Sequence, residues 1–246
     1  MIEQTVSIPT TDGEMESYLF RPDDTTTYPA VILYMDAPGI REELFDFCRR
    51  IADQGYCVLL PDMYYRLGKL RFDYKELSVE SSPTRKQMFE AMGSLNNKLV
   101  MDDTRAMLDF LTADSLVKDG PKGCIGYCMS GQYIISAVGT YPKHFGAGAS
   151  LYGVGIVTEQ DDSPHLLAGT IAAELYLGFA ETDPYVPDKV ITDLKAALDR
   201  HEVSYKLDIW PGTEHGFCFP ARPLYKEDAA GQVWELVFSM FERRLH

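Results

Sequence analysis

The chain has 246 residues, a hydrophobic fraction of 46% and a formal net charge of −14 at pH 7. So acidic a surface argues against nucleic acid and anionic membrane as partners, and no apolar run is long enough to span a bilayer. It leaves the substrate open, because one or two local arginines suffice to bind an anion.

The elements alternate along the chain. Thr5–Ile8 and Met15–Phe20 read as a strand pair around the turn at Thr11-Asp12-Gly13, and residues 21–28 as a polar loop. Ala30–Met35 is a fully apolar strand, as a central parallel position demands, and it ends at the loop Asp36–Gly39. Leu44, Phe47, Cys48 and Ile51 recur at helical spacing within a helix from Arg41 to Gln54, which Gly55 closes. Tyr56–Leu60 is the next buried strand. Residues 63–83 have no clean period and hold several aromatics and charges, the mark of a long excursion that shapes a pocket. Helices follow, from a cap at Thr84 through Met92 and from about Leu95 to Leu111. Further on come strands at Cys124–Tyr127, Gly146–Tyr152, Ala172–Phe179 and Tyr205–Trp210. Helices fall at Met129–Thr140, Pro187–His201 (Val190, Leu194 and Leu198 inward) and about Pro223–Arg244, and Pro211–Gly216 reads as a turn. Strands alternating with helices predict an α/β fold: a mostly parallel central sheet with helices on both faces, one domain over residues 1–246.

The chemistry centres on Gly126-Tyr127-Cys128-Met129-Ser130-Gly131. A short apolar strand runs into a very tight turn and then a helix, the pattern of a nucleophile elbow with Cys128 at the nucleophile position. A strand that reverses straight into a helix crowds the residues two before and two after the nucleophile, which is why Gly126 and Ser130 are small. The Met129 amide then faces any oxyanion formed on an attacked carbonyl. In an open α/β sheet ligands bind outside the carboxyl ends of the strands, and the loops at Asp36–Gly39, Cys128, Glu181–Pro184 and Gly212–Gly216 all leave such ends. The order Cys128, Asp183, His215 is nucleophile, acid, histidine, the order of the α/β-hydrolase triad. Glu181 and Asp188 are alternative acids and His165 is the rival histidine. Arg85 also reads as a solvated helix charge, and Asp36 as a turn residue.

The sequence resembles the dienelactone hydrolase family over nearly its whole length, through Tyr34-Met35-Asp36-Ala37-Pro38-Gly39, Leu60-Pro61-Asp62, Gly126–Gly131, Glu181-Thr182-Asp183 and His215-Gly216-Phe217. The resemblance implies an α/β-hydrolase fold and a carboxymethylenebutenolidase-like cysteine hydrolase. Such an enzyme opens a small carboxylic ester or lactone through a thioester acyl-enzyme, without cofactor or metal. Cys128, Asp183 and His215 match the family's triad, and the amides of Ala37 and Met129 its oxyanion hole. Asp36 stands where the family's type members hold a glutamate beside the thiol. Arg85 matches one of two arginines that bind the lactone carboxylate; the second position is Phe219 here, with Arg222 the nearest substitute. Other readings of the same fold are a non-catalytic small-molecule-binding protein and a redox-thiol protein.

Five cysteines, an odd number without zinc-site spacing, point to free thiols. Met1-Ile2-Glu3-Gln4-Thr5 lacks the basic patch and apolar core of a signal peptide, so a cytoplasmic monomer or small homo-oligomer is expected.

Overall fold

The computed structural model describes residues 1–246. One sheet of eight strands organises it: β1 (Ile2–Thr10), β2 (Gly13–Arg21), β3 (Ala30–Tyr34), β4 (Cys57–Pro61), β5 (Lys122–Tyr127), β6 (Phe145–Leu151), β7 (Glu174–Thr182) and β8 (Tyr205–Glu214), in spatial order β1-β2-β4-β3-β5-β6-β7-β8. Every pairing from β4 to β8 is parallel, and β1 and β2 join antiparallel at one edge. The helices are α1 (Glu42–Ala52), α2 (Tyr74–Leu77), α3 (Pro83–Gly93), α4 (Asn97–Ala113), α5 (Gly131–Thr140), α6 (Asp188–Arg200) and α7 (Glu227–Leu245).

They lie on both faces of the sheet. Tyr34, in register with Gly126, shares a hydrogen bond with Thr104 of α4 at 2.8 Å. Tyr127, the next residue along β5, points the opposite way onto Phe47 of α1, ring centroids 5.4 Å apart. Phe47 in turn meets Trp234 of α7 at 5.3 Å. The central strands are buried at every position, which is why they read as continuous apolar runs.

Element ends shift by a few residues throughout, and some local details differ from the sequence reading. Residues 63–83 contain a short 3₁₀ turn (Tyr65–Leu67) and the single-turn α2. The side chain of Ser82, not Thr84, caps α3 by accepting from the Thr84 amide. α7 begins at Glu227, because residues 217–226 fold back over the site instead. β8 continues through Pro211 to Glu214. Its place at the sheet edge tolerates a proline without an N–H, and Gly212 (φ +66°) bulges beside Ala180 and Thr182.

The chain order reverses between β3 and β5, and the crevice above that switch point is where a ligand has room to enter the sheet's carboxyl edge. Close packing there fixes the elbow. A Cβ on Gly126 would lie 3.0 Å from Ser130 Cβ, and one on Gly131 would lie 2.1 Å from Gly153 Cα and 2.7 Å from Ser150 Oγ. Gly131→Ala is therefore expected to destabilise the protein by about 2–3 kcal/mol, read as a lower urea midpoint at unchanged slope.

Candidate active site

Strand register brings the chemical groups together. Thr182 pairs with Glu214 in the parallel β7–β8 ladder, so the next residues, Asp183 and His215, emerge side by side. His215 Nδ1 and Asp183 Oδ2 are 2.7 Å apart. The other Asp183 oxygen accepts from the Tyr185 amide at 2.9 Å, which fixes the carboxylate. Tyr127 pairs with Leu151, so Cys128 and Tyr152 emerge together above β5 and β6. The imidazole sits between Tyr152 and Tyr185, centroids 5.0 and 4.9 Å away, both edge-on. Tyr34 pairs with Gly126, and three residues beyond each lie Ala37 and Met129.

Cys128 has φ +52°, a left-handed conformation rare for a residue with a Cβ. Such strain costs about 1–3 kcal/mol and persists where the surroundings impose it. Here the next two residues enter a 3₁₀ turn and then α5, and the thiol is left partly exposed while the other four free cysteines are buried.

His215 is the strongly perturbed group of the site. Burial of the ring disfavours its charge, but the Asp183 hydrogen bond and the adjacent Cys128 sulfur outweigh that and raise its pKa to about 9. Nε2 is buried and makes no aligned hydrogen bond, so the sulfur stands beside the ring without a closed S–H···N bond. Loose thiol–imidazole geometry of this kind is common in sites without a bound ligand.

The Ala37 N–H has no partner inside the protein. Two contacts tie the loop that carries it to the elbow: Tyr64 donates its hydroxyl to Ala37 O at 2.8 Å and reaches Met129 Sδ at 3.5 Å, and Ser130 Oγ donates to Met35 O. Tyr64, just past Leu60-Pro61-Asp62, was not singled out from the sequence; a polar aromatic soon after a buried strand end was the available signal.

Asp36, which the resemblance sets beside the thiol, is engaged by two arginines. Its side chain is fully buried and does not line the cavity. Instead it binds Arg41 Nη1 at 2.5 Å and Arg222 Nη2 at 2.5 Å. Both guanidiniums are raised in pKa by this carboxylate against the opposing effect of their own burial. Arg222 stacks on Phe219, 4.2 Å from Cζ to ring centroid, and its Nε is buried without a partner. The guanidinium thus reaches the cavity from over the residue where the family has its second arginine. Arg85 also lines the cavity, donating weakly to Leu77 O at 3.3 Å and lying over Phe89.

The alternatives go elsewhere. His165 bonds Ser163 Oγ, Glu181 accepts from the Gly212 amide, and Asp188 opens α6; none lines the cavity that holds Cys128 and His215. No group of three or more His, Cys, Asp or Glu side chains is placed to hold a metal ion. No helix is long and apolar enough to cross a membrane.

A thiol on a strand–turn–helix elbow after β5, an acid after β7 and its histidine after β8, above a mostly parallel sheet, define an α/β-hydrolase. The profile of the dienelactone hydrolase family matches residues 15–245, and the chain belongs to that family. It is a hydrolase of the dienelactone hydrolase type. A Synechocystis protein provisionally described as a carboxymethylenebutenolidase is 27% identical over 251 residues, covering 98% of this chain and 96% of that protein. A Bradyrhizobium protein provisionally described as a 2-oxo-3-(5-oxofuran-2-ylidene)propanoate lactonase is 26% identical, covering 91% and 88%. Among solved structures, a provisionally named dienelactone hydrolase of Klebsiella pneumoniae superposes with a TM-score of 0.85 at 22% identity, covering 98% of each chain. The Anabaena variabilis dienelactone hydrolase gives 0.68 at 19% identity, covering 100% and 99%.

Proposed function

We propose that the chain, acting as one unit, is a cysteine hydrolase of a carboxylic ester or lactone, working through a thioester on Cys128. The observation that carries the reading is the buried His215 held between Asp183 and the Cys128 sulfur. The Cys128 sulfur, its proton passed to His215, attacks the substrate carbonyl carbon, and the resulting oxyanion is received by the Ala37 and Met129 amides. The C–O bond breaks, and His215 gives its proton to the departing alkoxide. Water then attacks the thioester as His215 takes its proton, which releases the acid and leaves the Cys128 sulfur beside the protonated ring, ready for the next turn. Asp183 orients the ring and stabilises its cationic form. Arg85, which pairs with no carboxylate, offers an anionic substituent positive charge, and Arg222 lines the cavity already paired with Asp36. The relatives' descriptions as carboxymethylenebutenolidase and lactonase support the same reaction class. The free thiols of Cys48, Cys57, Cys124 and Cys218 favour a reducing, cytoplasmic setting, and the substrate is a small molecule.

Intact-mass measurement during turnover of a p-nitrophenyl ester tests this. An acyl adduct that maps to Cys128 is expected; an adduct on another residue, or none under rapid quench with full turnover, refutes it.

The raised His215 pKa sets the pH dependence. At neutral pH the ring is protonated and poised as the acid, so kcat/KM should fall as pH rises through about 9, a limb that belongs to the Cys128–His215 pair. Asp183→Asn removes a raising influence, so the limb should move to lower pH. For stability the sign is the same: the contribution is full below the unfolded value near 6.5 and is lost as pH rises through about 9. Urea midpoints measured between pH 7 and 10 should therefore fall, and fall less in His215→Gln.

A further inference from the structure

Building on Cys128 as the attacking thiol, we infer that the substrate's acyl group is bulky and apolar, about the size of an octanoyl chain, and rests on a wall made by α2 and α3. The cavity above Cys128 has a volume of about 540 Å³. That is the size of sites that enclose drug-sized ligands. At about 30 Å³ per water-sized group it holds on the order of eighteen such groups, and a small lactone acid of about ten non-hydrogen atoms would leave much of it to solvent.

The two sides of this cavity differ in kind. Thr182, Pro184, Tyr185 and Glu214 surround His215. The leaving oxygen must go there, because that is where its proton comes from. From α2 and α3 the lining takes Leu77, Met88, Phe89 and Met92 as a largely apolar surface, with the polar groups of Tyr74, Ser78 and Arg85 beside it and no triad member. Methionine pairs adapt their shape to a flexible apolar group. Local contacts order the wall: Arg71, just ahead of α2, binds the buried Asp62 at 2.7 Å, Ser82 caps α3, and Arg85 lies over the Phe89 ring at 5.5 Å.

The exposed apolar surface points the same way. The chain leaves eight large hydrophobic side chains exposed, and two of them, Phe89 (41%) and Leu224 (38%), line this cavity outside the group around His215. Apolar area left in water at a cavity mouth is recovered when an apolar ligand covers it. An acyl chain running from the Cys128 thioester along α3 toward Phe89 and Leu224 would do so.

The test is a series of p-nitrophenyl esters from acetate to decanoate, run beside acetate esters of lengthening alcohols. Each buried methylene is worth about two- to fourfold in kcat/KM, so the octanoate-to-acetate ratio should reach at least about 10². Phe89→Ser and Met92→Ser should each lower that ratio about tenfold. Leu166→Ser, on an exposed leucine outside the cavity, should leave it unchanged. A flat or falling acyl series with Cys128-dependent turnover overturns the acyl-wall assignment and leaves the hydrolase reading standing. A gain that follows alcohol length instead overturns it too. Turnover that survives Cys128→Ala removes the hydrolase reading on which it rests.

Discussion

Cys128→Ala is expected to lower kcat/KM for p-nitrophenyl esters by about 10⁴-fold or more, to the level that substrate binding and the oxyanion amides sustain alone. The loss should be of kcat, since the attacked carbonyl contacts the sulfur only in the reaction itself. The side chain sits on a strained backbone (φ +52°) and is partly exposed, so removing Sγ opens no large core cavity, and the melting temperature should change little. Cys128→Ser keeps a nucleophile of similar size but loses the easily formed thiolate, and should fall between the two. Steady-state kinetics and a thermal melt on the three proteins decide the matter. Equal turnover by Cys128→Ala would make the thiol structural and the elbow a relic. A binding protein on this fold would show no turnover in any of the three, and a redox-thiol protein would show reversible peroxide oxidation of Cys128 instead.

Asp36→Ala should cost stability more than activity arguments alone suggest, by about 3–5 kcal/mol. Asp36 is fully buried, and its carboxylate neutralises Arg41 and Arg222, whose side chains are 14% and 12% exposed. Arg41 keeps Glu43 as a partner at 3.0 Å, whereas Arg222 has no other carboxylate. Removing Asp36 therefore strands a desolvated cation close to Cys128. For a chain of this length the loss corresponds to a drop of about 10 °C in Tm. Arg222→Met in the Asp36→Ala background should recover part of it, because the charge left unpaired is gone. If Asp36→Ala melts with the wild type, the ion pairs contribute nothing net and Asp36 is a turn residue after all. The same cluster also ties residues 217–226 to the front of α1, since the Ala221 amide donates to Glu43 at 2.9 Å. That segment carries both Arg222 and the cavity residues Pro223 and Leu224.

The contrast between Asp36 and Asp183 shows which side-chain meetings a sequence makes legible. Asp183 was legible because a parallel ladder ending at Thr182 and Glu214 leaves it one residue from His215. Strand ends and chain order suffice to predict that meeting. Asp36 was not, because which neighbour claims a buried carboxylate depends on side chains arriving from Arg41, five residues on, and from Arg222, far along the chain. No periodicity encodes that choice. Likewise β8 runs on through Pro211 only because it is the sheet's edge, a fact about neighbours that residues 205–214 do not carry.

The amino-acid order alone determined the alternation of buried strands with amphipathic helices, the small residues of the elbow and the succession thiol, acid, imidazole, since these rest on local sterics and burial. Tertiary structure alone decided that Tyr64 ties the Ala37 loop to the Met129 elbow, that Asp36 pairs with two arginines, and that Arg222 reaches the cavity over Phe219. Those outcomes are competitions among groups distant in sequence, settled by distance and desolvation once the sheet has closed.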